Sequence, residues 1–130
     1  MKRASVLLAI VAVAMLALGA YAEQAAKKNP VKTITGELID TGCYLGHGAH
    51  GADHVGCATK CIAGGMPMGL LTKAGALYLL TLNHDNPDPY NQLKEMAGKT
   101  VSVTGEVMMR SGMKGIDVTE AKEVSEAAVK

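Results

Sequence analysis

The chain has 130 residues, with 13 basic and 12 acidic side chains, four histidines, three cysteines and neither Phe nor Trp. That length supports one modest core, and a near-neutral charge offers little for holding phosphates by counterion release. Tyr44, Tyr78 and Tyr90 are the only aromatic residues beyond position 22, so stacking platforms for bases are lacking and nucleic acid is a poor partner.

The first residues read as an address. Lys2 and Arg3 precede an apolar stretch from Ser5 to Leu18, too short to span a bilayer comfortably, and Ala20-Tyr21-Ala22 has the small-x-small form of a cleavage site. Residues 1–22 are therefore expected to be a signal peptide, and the product periplasmic or secreted. No membrane attachment is expected after cleavage, because no Cys follows the apolar stretch to carry a lipid. Removing Lys2 and Arg3 from the 13 basic residues leaves 11 against 12 acidic ones.

Residues 23–30 are polar, end at Pro30 and read as a flexible leader. A single domain is expected over 31–125. "VKTITGELI" (31–39) is a β-branched strand with Gly36 as a bulge or bend. A long Cys/His segment follows. "GLLTKAGALYLLTL" (69–82) reads as a hairpin turning at Lys73-Ala74-Gly75. Asp88 is placed as the N-cap of a short helix with Pro89 at its first position, Gly98 closing it, and Leu93, Met96 and Ala97 on its apolar side. "KTVSVTGEVMMR" and "GIDVTEAKEV" are two more alternating strands, joined by residues 111–115.

Five strands, with a helix between the third and fourth and a Cys/His loop-helix insertion between the first and second, match an all-β, five-stranded OB-like Greek-key barrel. A β-sandwich fragment or an open meander is the alternative.

"CYLGHGAHGADHVGCATKC" (43–61) gathers every cysteine and three of the four histidines. His54, Cys57 and Cys61 are spaced three and four apart, so a helical turn or two over 57–63 would align them on one face. Gly64-Gly65 and then Pro67 would stop that helix. Cys43 arrives separately, beyond the end of the first strand. Three thiolates and one imidazole suffice for tetrahedral Zn²⁺, and the same soft donors suit Cu(I). The paired CxxC spacing of zinc fingers is missing, as is the CxxCH of covalent haem.

His47 and His50 extend the spacing backwards. Gly46, Gly48, Gly51 and Gly56 argue against one continuous helix, so these two histidines read as exposed, auxiliary ligands at most. Asp40 can orient a ligand histidine from behind, or simply end the strand. Met66 and Met68 follow the proposed helix and carry soft thioethers suited to Cu(I). Met108, Met109 and Met113 lie on the last hairpin, which in an OB-like barrel borders the same face. Core filling in place of Phe is the competing role for all of these methionines. "HDNPD" (84–88) lacks Ca²⁺-loop spacing and reads as a loop leading into a helix.

A disulfide is the main rival. Exported thiols tend to pair, and Cys43 with Cys57 or Cys61 would close a short ring worth about 2–4 kcal/mol. Either pairing strands one thiol, whereas a metal accounts for all three and the imidazole. A third reading is a redox protein using Cys57 and Cys61.

"GELIDTGCYL", "GADHVGCATKCIAGGMPMGLLT", "LYLLTLNHDNPDPY" and "GKTVSVTGEV" together resemble a group of small exported bacterial proteins with an OB-like barrel. Their pattern, D-x-x-C-Y-L, H-x-x-C-A-x-x-C and G-x-P-x-G-L-L, falls here on Asp40, Cys43, Tyr44, Leu45, His54, Cys57, Ala58, Cys61, Gly65, Pro67, Gly69, Leu70 and Leu71. His47 and His50 lie outside it. The resemblance implies the fold and an exported location, and assigns no biochemical role.

The expectation is thus an exported protein that binds Zn²⁺ or Cu(I) through Cys43, His54, Cys57 and Cys61. Asp40, His47, His50, Met66 and Met68 are auxiliary candidates. Its partners would be the metal ion and another periplasmic protein. A closed four-ligand set leaves no position for a substrate, so no enzyme is expected. A metal-free, disulfide-stapled interaction module is the alternative.

Overall fold

The computed structural model describes residues 28–125. The expected signal peptide (1–22) and most of the leader lie outside the described residues. The described part is mostly β, with five strands and a few short helices. The strands are β1 (Val31–Asp40), β2 (Met68–Leu71), β3 (Leu77–Leu82), β4 (Thr100–Arg110) and β5 (Met113–Glu123). Helices α1 (Thr41–His47) and α2 (Val55–Ala63) lie between β1 and β2, and α3 (Asp88–Leu93) lies between β3 and β4. Short 3-10 turns at Ala52–His54 and Lys94–Met96 lead into α2 and continue α3.

The strands form a ring in the order β1-β2-β3-β5-β4, which closes because β1 pairs with both β2 and β4. All pairs are antiparallel except β3 with β5. β1 serves two neighbours because it changes partner near Gly36: Val31 to Glu37 face β4, while Glu37 to Asp40 face β2. The expected bulge at Gly36 is not seen, the register with β4 running through it unbroken; the absence of a side chain instead permits the close approach of β2. A Cβ on Gly36 would sit 2.5 Å from the Leu71 carbonyl oxygen.

Alternation then fills the interior. Val101 and Val103 of β4, Ile116 and Val118 of β5, Leu70 of β2 and Leu38 of β1 are all fully buried. Leu93 and Ala97 from the α3 region close part of the core, with Met96 packed against it. Ala58 and Ile62 of α2 close another part. Met68, 1% exposed, belongs to this core. A chain lacking Phe and Trp uses it as apolar filling, which corrects its placement among the auxiliary ligands.

Three local expectations are revised. Pro87, not Asp88, is the N-cap of α3; Asp88 is already helical, and its N–H reaches back to Asn86 Oδ1 at 3.4 Å. The last hairpin turns on only Ser111 (φ 50) and Gly112 (φ 82). Positive φ at both central residues suits the right-handed twist of its strands, so Met113 to Gly115 join β5 instead of the turn.

That hairpin also runs away from Cys43. One hydrogen-bonded row runs Ile39–Gly69–Leu79–Gly115–Met108. From this row the hairpin continues towards the level of Leu71 and Leu77, whereas Cys43 leaves in the opposite sense. Met109 and Met113 remain exposed at the far end.

Candidate metal centre

The insertion between β1 and β2 is organised by one side chain. Asp40, the last residue of β1, has extended dihedrals and caps α1: its Oδ1 accepts the Cys43 N–H at 2.8 Å. The cap starts a helix that the sequence reading treated as loop, and thereby fixes Cys43 in its first turn. The signal was present as Asp40-Thr41-Gly42-Cys43, an N-cap residue three positions before the N–H it accepts. Thr41 secures the start further, since its N–H and its hydroxyl both reach the Pro67 carbonyl, at 3.0 and 2.9 Å.

Helix α1 ends where the sequence demands. Gly48 takes a left-handed φ of 69 and its N–H closes on the Cys43 and Tyr44 carbonyls. The Gly-rich connection is then held by Glu37, whose carboxylate accepts the Gly51 N–H and contacts the His50 ring at 3.2 Å. Tyr44 meets the same ring edge-on. The sequence reading missed this role for Glu37, because nothing local links position 37 to position 51.

Helix α2 divides its faces by spacing. Ala58 and Ile62, four apart, are buried in the core, so Cys57 and Cys61, also four apart, occupy the adjoining stripe. The Cys57 and Cys61 sulfurs are 4.0 Å apart. Cys43 Sγ joins them from α1: the ligand atoms of Cys43, His54 and Cys57 all lie within 4.8 Å of one another, and so do those of Asp40, Cys43 and Cys61. Cys43 belongs to both groups and links them. Cys43, His54, Cys57 and Cys61 therefore lie close together and can hold a metal ion. Around a tetrahedral Zn²⁺ with bonds of about 2.3 Å, thiolate sulfurs stand about 3.8 Å apart, so the pair on α2 is already near that separation.

The imidazole is set from behind. His54 Nε2 lies 3.0 Å from Asp40 Oδ2. Asp40 is fully buried and His54 is 17% exposed. Burial by itself would raise the Asp40 pKa, but the Cys43 N–H and the His54 ring outweigh it and hold the carboxyl below its ordinary value. An ionised carboxylate only accepts, so Nε2 is the nitrogen that donates to it, which leaves Nδ1 as the one a metal would use. The cysteines shift the other way. Burial first, then the Asp40 carboxylate and the neighbouring thiols, push Cys43 up to about 12. Burial and Cys57 also raise Cys61.

The auxiliary candidates separate clearly. Asp40 is inside the site. Met66 borders it: its thioether packs on Gly42, 2.7 Å from where a Cβ would stand, and its N–H donates to the Cys61 carbonyl at 2.9 Å. His47 is exposed at the end of α1, in neither group of ligand atoms. His50 is turned to Glu37 and is also in neither group. The three cysteines are unpaired with one another.

Compared with known proteins, the chain matches no family model, no curated protein and no solved structure.

Proposed function

We propose that this chain is an exported OB-like barrel that binds one soft transition metal, Zn²⁺ or Cu(I), through Cys43, His54, Cys57 and Cys61. The observation that carries this reading is the convergence of three sulfurs and one carboxylate-oriented imidazole from two helices and a 3-10 turn. A disulfide-stapled module has no use for the Asp40–His54 contact, whereas a metal ligand histidine regularly has such a partner. The ring order of the strands and the helix before β4 support the OB-like assignment. The charged and apolar start of the sequence supports export.

With Zn²⁺ the role is structural, tying α1 to α2 across a segment with little core of its own. With Cu(I) the role is sequestration or delivery, and Met66 supplies a soft neighbour. Four protein ligands leave no open position, so the reading is binding without catalysis.

Elemental analysis and thiol titration of protein purified without reductant test this. The expected result is about one metal per chain, its release exposing three reactive thiols together. Absence of metal with one reactive thiol would establish the stapled module instead. Reversible pairing of Cys57 with Cys61 at a defined potential, again without metal, would establish a redox protein.

A further inference from the structure

The ligands differ in how far they reach the solvent, and the difference is ordered. Asp40 is wholly enclosed, and His54 is partly buried. Cys43 and Cys61 are half-buried, and Cys57 is exposed. Beside Cys57 the surface is open: a Cβ built on Gly56 meets nothing within 4 Å, and Thr59 and Lys60 on the next turn are exposed. The opposite side of the cluster is closed by the core residues Ala58 and Ile62 and by the end of β1. Cys43 and His54 are tied to the barrel by Asp40. Cys61 is tied by its carbonyl to Met66. Among the three cysteines Cys57 is the exposed one, and its neighbour Gly56 faces open space.

We infer that metal leaves this site by exchange at Cys57, with a small free thiol as the incoming ligand. The inference rests on the metal-binding reading above. In the exchange the incoming sulfur bonds to the metal as the Cys57 sulfur departs, and the proton of the incoming thiol ends on Cys57. One metal–sulfur bond forms, one breaks, and no electrons are transferred. Cys43, Cys61 and His54 hold the ion meanwhile, a three-ligand set that soft metals tolerate.

The test uses the full mature chain reconstituted with Zn²⁺ and, separately, with Cu(I). Release to a chromophoric chelator is timed at increasing glutathione concentration. The expected release rate rises in proportion to glutathione. The Cys57→Ser protein, lacking one of the four ligands, is expected to bind metal more weakly and to release it at least on the order of tenfold faster at zero glutathione, with the thiol dependence flattened. Cys43→Ser and Cys61→Ser are expected to lose occupancy outright. Circular dichroism of each variant confirms the barrel. A rate independent of glutathione in a well-loaded protein overturns the exchange route while leaving metal binding intact. Equal loss of occupancy in all three variants also overturns it. Failure of the unaltered protein to take up either metal overturns both readings.

Discussion

The Asp40 carboxylate joins His54 at 3.0 Å while its other oxygen caps the helix that carries Cys43. One buried side chain thus positions two ligands that lie eleven residues apart in the chain and on different elements. Replacing it with Asn keeps an oxygen for the Cys43 N–H, so the fold should survive. The atom facing His54 becomes an NH2, which donates instead of accepting, and metal affinity is expected to fall by about 10–100-fold. Competition against a chelator of known affinity measures this, and an unchanged constant would remove Asp40 from the site.

Acid should weaken the protein through the same residue. The folded-state pKa of Asp40 lies below its ordinary value of 3.8, so on acidification the unfolded chain takes up this proton first. The stabilisation is complete above that ordinary value and disappears as pH falls through the folded-state one. Urea midpoints of metal-free protein between pH 6 and pH 2 should show the loss, and Asp40→Asn should lack that component of the slope.

Alkali should act through Cys43. Its thiol is raised from 9.0 to about 12, so the unfolded chain ionises first and the stabilisation, complete below pH 9, is lost between about 9 and 12. Metal-free Cys43→Ser should lose less stability over that interval than the unaltered chain. Metal must expel these thiol protons to bind, so loading at neutral pH is expected to acidify a weakly buffered solution and to weaken as pH falls. A pH-indicator titration reads the proton release directly; loading without it would contradict thiolate ligation.

His50 provides the contrasting case. It contacts Glu37 and is 49% exposed, outside both groups of ligand atoms. His50→Ala should leave metal stoichiometry and affinity unchanged and cost under about 1 kcal/mol of stability, as exposed pairs usually do. A drop in occupancy comparable with that of His54→Ala would place a second imidazole in the centre.

Gly36 tests the barrel itself. A methyl group there would press on the Leu71 carbonyl where β1 passes from β4 to β2. Gly36→Ala is expected to destabilise the fold by about 1–3 kcal/mol. Thermal unfolding measures it, and a neutral result would mean that β2 moves aside without cost.

Much of this organisation is legible along the chain because it depends on local periodicity. Alternating Val101 and Val103, the stop at Gly64-Gly65, the turn ending at Gly75 and the stripe of Cys57 and Cys61 each follow from spacing within one element. The residue types of the centre, three thiols and an imidazole, were likewise readable from composition and spacing. Three-dimensional packing settled what spacing could not. Met66 and Met68 are two positions apart and chemically identical, yet one borders the ligands and the other fills the core, because Met66 lies in the connection before β2 while Met68 is already in the strand. His47, His50 and His54 continue one sequence rhythm, but left-handed Gly48 and Gly51 break the helix between them, leaving only His54 beside Asp40. Which imidazole joins the sulfurs depends on where a buried carboxylate at the end of a strand comes to rest, and that position is defined only once the end of β1 has paired with β2.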